Sequence, residues 1–402
     1  MTQIASIHAI ASPTTAELVA RVHELGPLLH KNGPLGETKR RVEEESIEAL
    51  TQAGVFKVGV PRRYGGWEMN TRAMLDVSAA VAEYDGASAW VVALTNICSW
   101  LAGLYPLKAQ DEIFGADPDA RISGVLAPSA SANKVAGGFR VTGKWYYNSG
   151  GWHAQWAVLG MPIVNDAGET IDQGLALIPM TDLEREDTWF VAGMRASGSI
   201  CLAAKDVFIP AHRILSVPRA IEGEYPTEVG GQEPFYRSAF VAILALILVG
   251  PQLGLGRAAL SYVRQKAESR PISYTFCEKQ ATSVGFQLQI AKAAMLIDTA
   301  HLHAYRAADD IDHAAMSSNY PDMVTRTRVR ADTGYVAEKI TEAIDLLLYA
   351  HGAGAFAESS PLQRIWRDSA VAARHAVVLP AVAYEVYGKA LLAIENDVTA
   401  LV

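Results

Sequence analysis

The stretch that decides the fold, residues 362–376, reads LQRIWRDSAVAARHA. Within it, His375 follows the pair Arg367-Asp368 by about two helical turns. A histidine has an unperturbed pKa of about 6.5, so it can hold or release a proton near neutral pH. His375 is therefore the first candidate for a catalytic residue.

Four further motifs lie upstream of this stretch, and their order is more specific than any one of them. They are PRRYGG at 61–66, GKWYYNSGG at 143–151, GMRASGS at 193–199 followed by VFIP at 207–210, and LGLG at 253–256. Taken singly, each is a common turn or strand-end sequence. Their spacing along one chain is what carries information.

The character of the chain changes near residues 118 and 225. Residues from 14 to about 118 carry helical spacing, with a capping sequence at 14–17. From about 121 to 218, short β-branched runs are punctuated by Gly, Pro and Asp, which predicts a small β domain. The predicted strands include 139–142, 156–159, 174–178 and 206–209.

Long helices with an apolar stripe are predicted for the last third of the chain. A 4-3 spacing of apolar residues predicts helices that pack against antiparallel neighbours in a four-helix bundle. The two stripes are Val284, Leu288, Ala291, Met295 and Leu302, and then Val336, Ile340, Ala343 and Leu347.

Composition excludes several classes of function. The chain has 402 residues, half of them hydrophobic, with a net charge of −8, which argues against binding nucleic acid or anionic membranes. Cys98, Cys201 and Cys277 are scattered without metal-ligand spacing, and an odd count suits a reducing compartment. Without an apparent export signal near the N-terminus, a cytoplasmic, metal-free protein is expected.

One apolar segment, residues 238–256, is nearly as long as a transmembrane helix. Residues 238–256 carry no charge, but Gly250-Pro251 interrupts them after a short apolar run. A spanning helix needs about 20 apolar residues. The segment therefore predicts a central helix buried on all sides, and no second candidate span is evident in the sequence.

In its motifs and in the order of its helical and β parts, the chain resembles the acyl-CoA dehydrogenase superfamily over roughly residues 15–390. The resemblance implies a mostly α fold with a small central β domain. An N-terminal helical domain would cover 1–118, a β-barrel-like middle domain 119–225, and a C-terminal four-helix bundle 226–402.

The catalytic base of the dehydrogenases is missing from this chain. In that superfamily a Tyr-Glu-Gly follows the Arg-Asp pair, and here the tyrosine falls on His375 and the glutamate on Ala376. The alternative glutamate position falls on Leu244. Removing a positioned base costs a factor of about 10² to 10⁴ in rate. In having a histidine at this place, the chain resembles the flavin-dependent monooxygenases of the same fold. That resemblance implies oxygenation through a C4a-(hydro)peroxyflavin.

The flavin-binding residues that the resemblance implies lie in two of the motifs. Ser149, which with His375 is the expected catalytic pair, would hydrogen-bond the N5/O4 edge of the flavin, where a hydroxyl can donate or accept. The other expected contacts are Tyr147 against the ring, Asn148 through its backbone, and Arg195, Ser197 and Ser199 in the glycine-rich turn.

Departures from the family pattern affect the rest of the cofactor site. Arg270 corresponds to an arginine that, in flavin-binding relatives, reaches the pyrophosphate of the flavin bound by a neighbouring subunit. The sequences around this site, RPISY at 270–274 and HGAGAF at 351–356, differ from the family pattern. Reduced FAD is expected ahead of FMN, with O₂ as co-substrate. Asn96 and Trp100 lie on the helix that lines the substrate pocket in relatives, and are the expected substrate contacts.

The resemblance implies the oxygenase component of a two-component monooxygenase that hydroxylates an aromatic or heteroaromatic molecule, phenolic or indole-like, in a biosynthetic pathway. The chain carries no Gly-x-Gly-x-x-Gly after a strand, so a separate NAD(P)H:flavin reductase is the expected partner. A homodimer or homotetramer is expected from the resemblance. An N-oxygenase acting on an amine or amino sugar, and a flavin oxidase or acyl-CoA dehydrogenase-like enzyme, remain as alternatives.

Overall fold

The computed structural model describes residues 12–402, in which two groups of helices flank a central β region. The N-terminal helices are α1 (Thr15–Lys39), α2 (Glu44–Gln52), α3 (Thr71–Ala82), α4 (Gly86–Gly103) and α5 (Leu107–Gln110). The C-terminal helices are α6 (Val217–Ile221), α7 (Phe240–Leu246), α8 (Gly250–Ala267), α9 (Val284–Ser317), α10 (Met323–His351), α11 (Pro361–Ala372) and α12 (Pro380–Leu391).

Capping side chains set the ends of the N-terminal helices. The predicted capping sequence is confirmed, because the Thr14 side chain accepts from the Glu17 amide and Glu17 returns the bond at the start of α1. The helical spacing over 73–104 is realised by two helices, α3 and α4. The break lies at Asp85, whose carboxylate caps α4 by accepting from the Ser88 amide at 2.8 Å.

The central region consists of two four-stranded sheets. The strands are β1 (Ile122–Val125), β2 (Ala130–Val135), β3 (Gly138–Asn148), β4 (Trp156–Val164), β5 (Thr170–Pro179), β6 (Glu184–Glu186), β7 (Ile200–Pro210) and β8 (Ile214–Ser216). One sheet has the order β1-β4-β5-β8 and the other β2-β3-β7-β6. All four predicted strand segments lie within β3, β4, β5 and β7. The boundaries at 118 and 225 remain predictions.

Helix α10 is the centre of the C-terminal bundle, where it packs against α8, α9 and α12. Its predicted stripe, from Val336 to Leu347, is buried as expected. The stripe predicted for α9 does not face the core of this chain. Leu288 and Met295 are 67% and 64% exposed, whereas small residues such as Ala300 and Ala304 face the core. Helix α9 therefore has two apolar faces, and the bundle uses the alanine-rich face for close packing.

Within residues 12–402, two helices are long and apolar enough to cross a membrane by composition alone, Gly86–Gly103 and Phe240–Ala267. The first was not expected from the sequence. Both are core helices in this fold, since 94% and 89% of their apolar windows are buried. The predicted central helix is confirmed as a buried element, divided near Gly250 into α7 and α8.

Candidate active site

Four side chains from three separate segments form a continuous chain of buried hydrogen bonds. Trp90 on α4 donates its indole N–H to Ser149 Oγ at 3.0 Å. Ser149 Oγ lies 2.8 Å from Ser199 Oγ, which lies 2.7 Å from Ser197 Oγ. The structure thus brings together three of the serines expected to face the cofactor, and adds a tryptophan that the sequence did not point to.

The backbone at the end of β3 is bent so that it delivers Ser149 to this chain. The pairing of β3 with β7 is irregular between Trp145 and Asn148, and Tyr147 has a positive φ of 73°. A positive φ is a strained conformation for a bulky residue, and such strain is typical of functional sites. Tyr147 is 69% exposed as a result, whereas Asn148 is fully buried and donates its side-chain amide to the Trp145 carbonyl at 2.6 Å.

His375 lies just beyond α11 and faces the same tryptophan. The imidazole and indole ring centroids of His375 and Trp90 are 5.9 Å apart. The residue is exposed, yet the surrounding protein lowers the pKa of His375 to about 4 by desolvation. Part of the His375 side chain therefore meets solvent, while its ring lies near Trp90. The imidazole is therefore neutral at pH 7.

A buried carboxylate couples α11 to the serine-bearing turn. Asp368 Oδ1 accepts from the Met194 amide at 2.6 Å. Next to it, a Cβ added at Gly193 would lie 2.0 Å from the Arg367 carbonyl oxygen, so only glycine allows this approach. Burial, reinforced by the nearby Asp85, raises the pKa of Asp368 to about 7. The Arg-Asp pair of the opening stretch thus holds the turn that carries Ser197 and Ser199.

Arg195 does not present its guanidinium to the centre of this site. It donates instead to the backbone carbonyls of Glu37 at 3.3 Å and Val191 at 3.1 Å. These bonds fix the glycine-rich turn against α1. The expected contact of Arg195 with the flavin stays a prediction.

The structure also corrects the two expected substrate contacts. The Asn96 side chain donates to the Val55 carbonyl at 2.9 Å and accepts from the Gly59 amide at 3.2 Å, which ties α4 to the preceding turn. Trp100 is fully buried and donates to the Phe235 carbonyl at 2.9 Å. Both side chains are structural, because their polar groups are occupied inside the core.

Arg270 belongs to a second cluster of residues, apart from the serine chain. Its guanidinium lies 3.0 Å from Nε2 of the buried His351, at the end of α10. Burial, and then the positive charge of Arg270, lower the pKa of His351, whose Nδ1 has no hydrogen-bond partner within residues 12–402. Among the described contacts, none joins this cluster to Ser149 or His375.

Comparison with known proteins places this geometry in a family. The sequence model of the acyl-CoA dehydrogenase C-terminal domain matches residues 246–380. The flavin-dependent monooxygenase oxygenase subunit HsaA of Mycobacterium tuberculosis is 30% identical over 92% of this chain and 94% of its own length. The p-hydroxyphenylacetate 3-hydroxylase oxygenase component of Acinetobacter baumannii is 27% identical over 95% of this chain and 90% of its own.

A solved structure agrees over nearly the whole length. XiaF from Streptomyces sp., in complex with FADH2 and glycerol, is 37% identical, with a TM-score of 0.91 over 96% of this chain and 97% of XiaF. The chain belongs to the flavin-dependent monooxygenases of acyl-CoA dehydrogenase fold. The expected fold and enzyme class are thereby confirmed: this is an oxidoreductase, similar over nearly its whole length to oxygenase components of flavin-dependent monooxygenases.

The residues of this monooxygenase fit a planar flavin at the end of β3. Ser149 is 8% exposed and the neighbouring Tyr147 is 69% exposed, and the space in front of these two residues is called the recess. The Asn148 Oδ1 atom is buried without a hydrogen-bond partner in the described part of the chain. An unpaired amide oxygen, a hydroxyl and an exposed aromatic ring at one strand end suit the binding of a flat heterocycle with polar edges.

Sequence reasoning missed Trp90 and the anchoring role of Asp368. Trp90 lies in an apolar helix, and its only special feature is a contact with a residue 59 positions away. No local pattern marks such a contact. Asp368 was visible as part of the opening stretch, but its partner amide at Met194 is equally remote in sequence.

Proposed function

We propose that this monooxygenase hydroxylates an aromatic or heteroaromatic small molecule, a phenol or an indole-like compound, using reduced flavin and O₂. The observation that carries the proposal is the grouping of His375, Trp90 and Ser149. An aromatic substrate is supported by the p-hydroxyphenylacetate hydroxylase among the relatives. The missing carboxylates at Leu244 and Ala376 speak against a dehydrogenase.

When bound, the reduced flavin supplies the electrons that activate O₂. The protein's part is to hold the ring, to limit water and to manage protons. Ser149 and the exposed face of Tyr147 are proposed to hold the ring, with Asn148 behind them. Ser197 and Ser199 support Ser149 from the buried side.

His375 is proposed to handle a substrate proton. Because its lowered pKa leaves the imidazole neutral at pH 7, one ring nitrogen is free to accept a hydrogen bond from a phenol O–H or an indole N–H. The other ring nitrogen carries a hydrogen that can be donated. The indole of Trp90 lies against the imidazole and limits its rotation.

FAD is proposed as the flavin, because XiaF, which shares 37% of its residues with this chain, contains FADH2. Arg270, beside the neutral His351, offers a positive charge for the phosphates of a dinucleotide bound mainly by another subunit. The reduced flavin would come from a separate NAD(P)H:flavin reductase, in the reducing conditions of the cytoplasm.

We also propose that the protein is a homodimer or homotetramer, and that α9 provides a contact between copies. Val284, Leu288, Met295 and Leu302 are 64–68% exposed and lie on one face of α9 at heptad spacing. Such a stripe suits pairing with an equivalent helix. Light scattering should report a smaller assembly for the Leu288→Lys, Met295→Lys variant. The Ile171→Lys variant, altered at an equally exposed apolar site in the β region, should keep the parent mass.

The central experiment measures coupling in a His375→Ala variant. Purified oxygenase, a generic flavin reductase, NADH and air are supplied with a panel of phenols and indoles, and product and H₂O₂ are both quantified. If His375 handles the substrate proton, product should fall by about 10²-fold or more, and the consumed reductant should appear as H₂O₂.

The matched control is His313→Ala, which removes an exposed histidine from α9. It should keep the parent ratio of product to H₂O₂. Normal coupling in His375→Ala would refute the role assigned to this residue. Failure of every aromatic compound, together with turnover of amines, would refute the substrate class.

A further inference from the structure

The hydroxyl hydrogens of the serine chain can be arranged in three ways. Trp90 has only an N–H donor, so Ser149 Oγ is the acceptor of their 3.0 Å bond. The remaining links, Ser149 to Ser199 and Ser199 to Ser197, each need one hydroxyl hydrogen, and Ser199 can supply only one. The hydrogens therefore all point toward Ser149, all point away from it, or converge on Ser199 from both sides.

Burial decides between the three arrangements. If the chain donated away from Ser149, the hydrogen of Ser197 would have no acceptor, because the Ser197 hydroxyl has no other partner within residues 12–402 and the residue is 1% exposed. If Ser149 and Ser197 both donated to Ser199, the hydrogen of Ser199, which is 3% exposed, would have no acceptor among the same residues. A buried donor without an acceptor is unfavourable. When the chain donates toward Ser149, each buried hydrogen has an acceptor, and only that of Ser149, which is 8% exposed, remains for the recess.

We propose that Ser199 is a positioning residue that turns Ser149 into a fixed hydrogen-bond donor. Trp90 and Ser199 both donate to Ser149 Oγ and so occupy its two lone pairs. Ser149 then has no capacity to accept from a ligand and presents its own hydrogen to the recess. Ser197 supports this arrangement by donating to Ser199. Ser197 and Ser199 thus act through Ser149 rather than by touching the cofactor.

The consequence for ligand choice rests on the proposed function, in which a flavin edge faces Ser149. A fixed donor favours a ring that carries an acceptor at this edge, which is the O4 carbonyl oxygen in reduced flavin and both O4 and N5 in oxidised flavin. Oxidised FMN has an acceptor nitrogen at position 5, whereas 5-deaza-FMN has a C–H there. The protein should therefore bind oxidised FMN more tightly than 5-deaza-FMN, and the preference should depend on Ser199.

The first test uses the flavin-free protein and reads the indole N–H of Trp90 by NMR. Selective ¹⁵N labelling gives signals for eight tryptophans, and the Trp90→Phe variant identifies the one of interest. If Ser199 donates to Ser149, it competes with Trp90, and Ser199→Ala should move the Trp90 proton signal downfield. If Ser149 donates to Ser199, hydrogen-bond cooperativity is lost and the signal should move upfield. An upfield shift or no shift overturns the proposal.

The second test compares dissociation constants for oxidised FMN and 5-deaza-FMN. In Ser199→Ala the freed hydroxyl of Ser149 can rotate, so the preference for FMN should fall by about 2- to 10-fold. The Ser199→Thr variant, which keeps the hydroxyl, should restore it, and Ser131→Ala, which removes an exposed hydroxyl on β2, should leave it unchanged. An unchanged or larger preference in Ser199→Ala overturns the proposal.

The two tests separate the inference from the proposed function. If the parent protein binds neither FMN nor 5-deaza-FMN, the flavin site at Ser149 fails, while the NMR shift still reports the direction of the hydrogen bonds. If FMN binds and the preference is insensitive to Ser199, the flavin site stands and the positioning role fails.

Discussion

Replacement of the buried carboxyl of Asp368 by an amide should make the stability of the protein less dependent on pH between about pH 4 and pH 7. In the folded protein, burial raises the pKa of Asp368 to about 7, from a usual value of 3.8. A carboxyl whose pKa is raised by folding destabilises the folded state at any pH where the same carboxyl is ionised in the unfolded chain. Stability is therefore lost as pH rises from about 4 to 7, and the full penalty persists above pH 7.

The size of the effect follows from the two pKa values. One pKa unit corresponds to about 1.4 kcal/mol, so the whole penalty is at most ~4 kcal/mol. About 2–3 kcal/mol of this penalty develops between pH 5 and pH 8. Relative to the parent, Asp368→Asn should gain this amount in its free energy of unfolding over that interval. The amide oxygen can still accept from the Met194 backbone.

Urea unfolding at several pH values measures the difference directly. The control is Asp322→Asn, which alters the exposed cap of α10, where a hydrogen bond from the Thr325 amide lowers the pKa of the carboxyl. That group is ionised in both states above pH 5, so its substitution should cost a constant amount. A parent-minus-variant difference for Asp368→Asn that stays flat between pH 5 and pH 8 would show that the carboxyl is ionised in the folded protein.

Two further predictions concern the packing around the site. Gly193→Ala places a methyl group 2.0 Å from the Arg367 carbonyl, so it should cost about 1–3 kcal/mol and weaken flavin binding; Gly388→Ala, with open space around it, should leave both the melting temperature and flavin binding near the parent values. Asn96→Ala should lower the free energy of unfolding by about 1–3 kcal/mol and leave the KM for an aromatic substrate unchanged, because its amide serves the backbone. A changed KM with normal stability would restore Asn96 to the substrate pocket.

The sequence predicted the fold well because the fold depends on repeated local patterns. Helical spacing, β-branched runs and turn motifs each recur over many residues, so single exceptions do not alter the outcome. The α9 stripe failed for a physical reason. Its larger apolar residues, such as Leu288 and Met295, are exposed, and alanines such as Ala300 allow the closer contact that the bundle uses.

The site was less predictable because its contacts join distant parts of the chain. Motif order pointed to Ser149 and His375, and the structure brings both into contact with Trp90. It gave no means of choosing a face on α4, which is apolar and buried almost all round. Asn96 and Trp100 were chosen for their polar atoms, and those atoms are occupied by backbone partners.

Trp90, Ser149, Ser199 and His375 lie far from one another in the sequence. The recess therefore forms only when the whole fold is assembled. A small separation of α11 from the serine-bearing turn would disperse these groups while leaving nearly all helices and strands intact. Heat should therefore abolish flavin affinity before it changes the circular dichroism of the backbone. Conversely, a ligand that bridges the segments stabilises only the assembled form, so flavin supply in the cell would influence how long each copy of the protein survives.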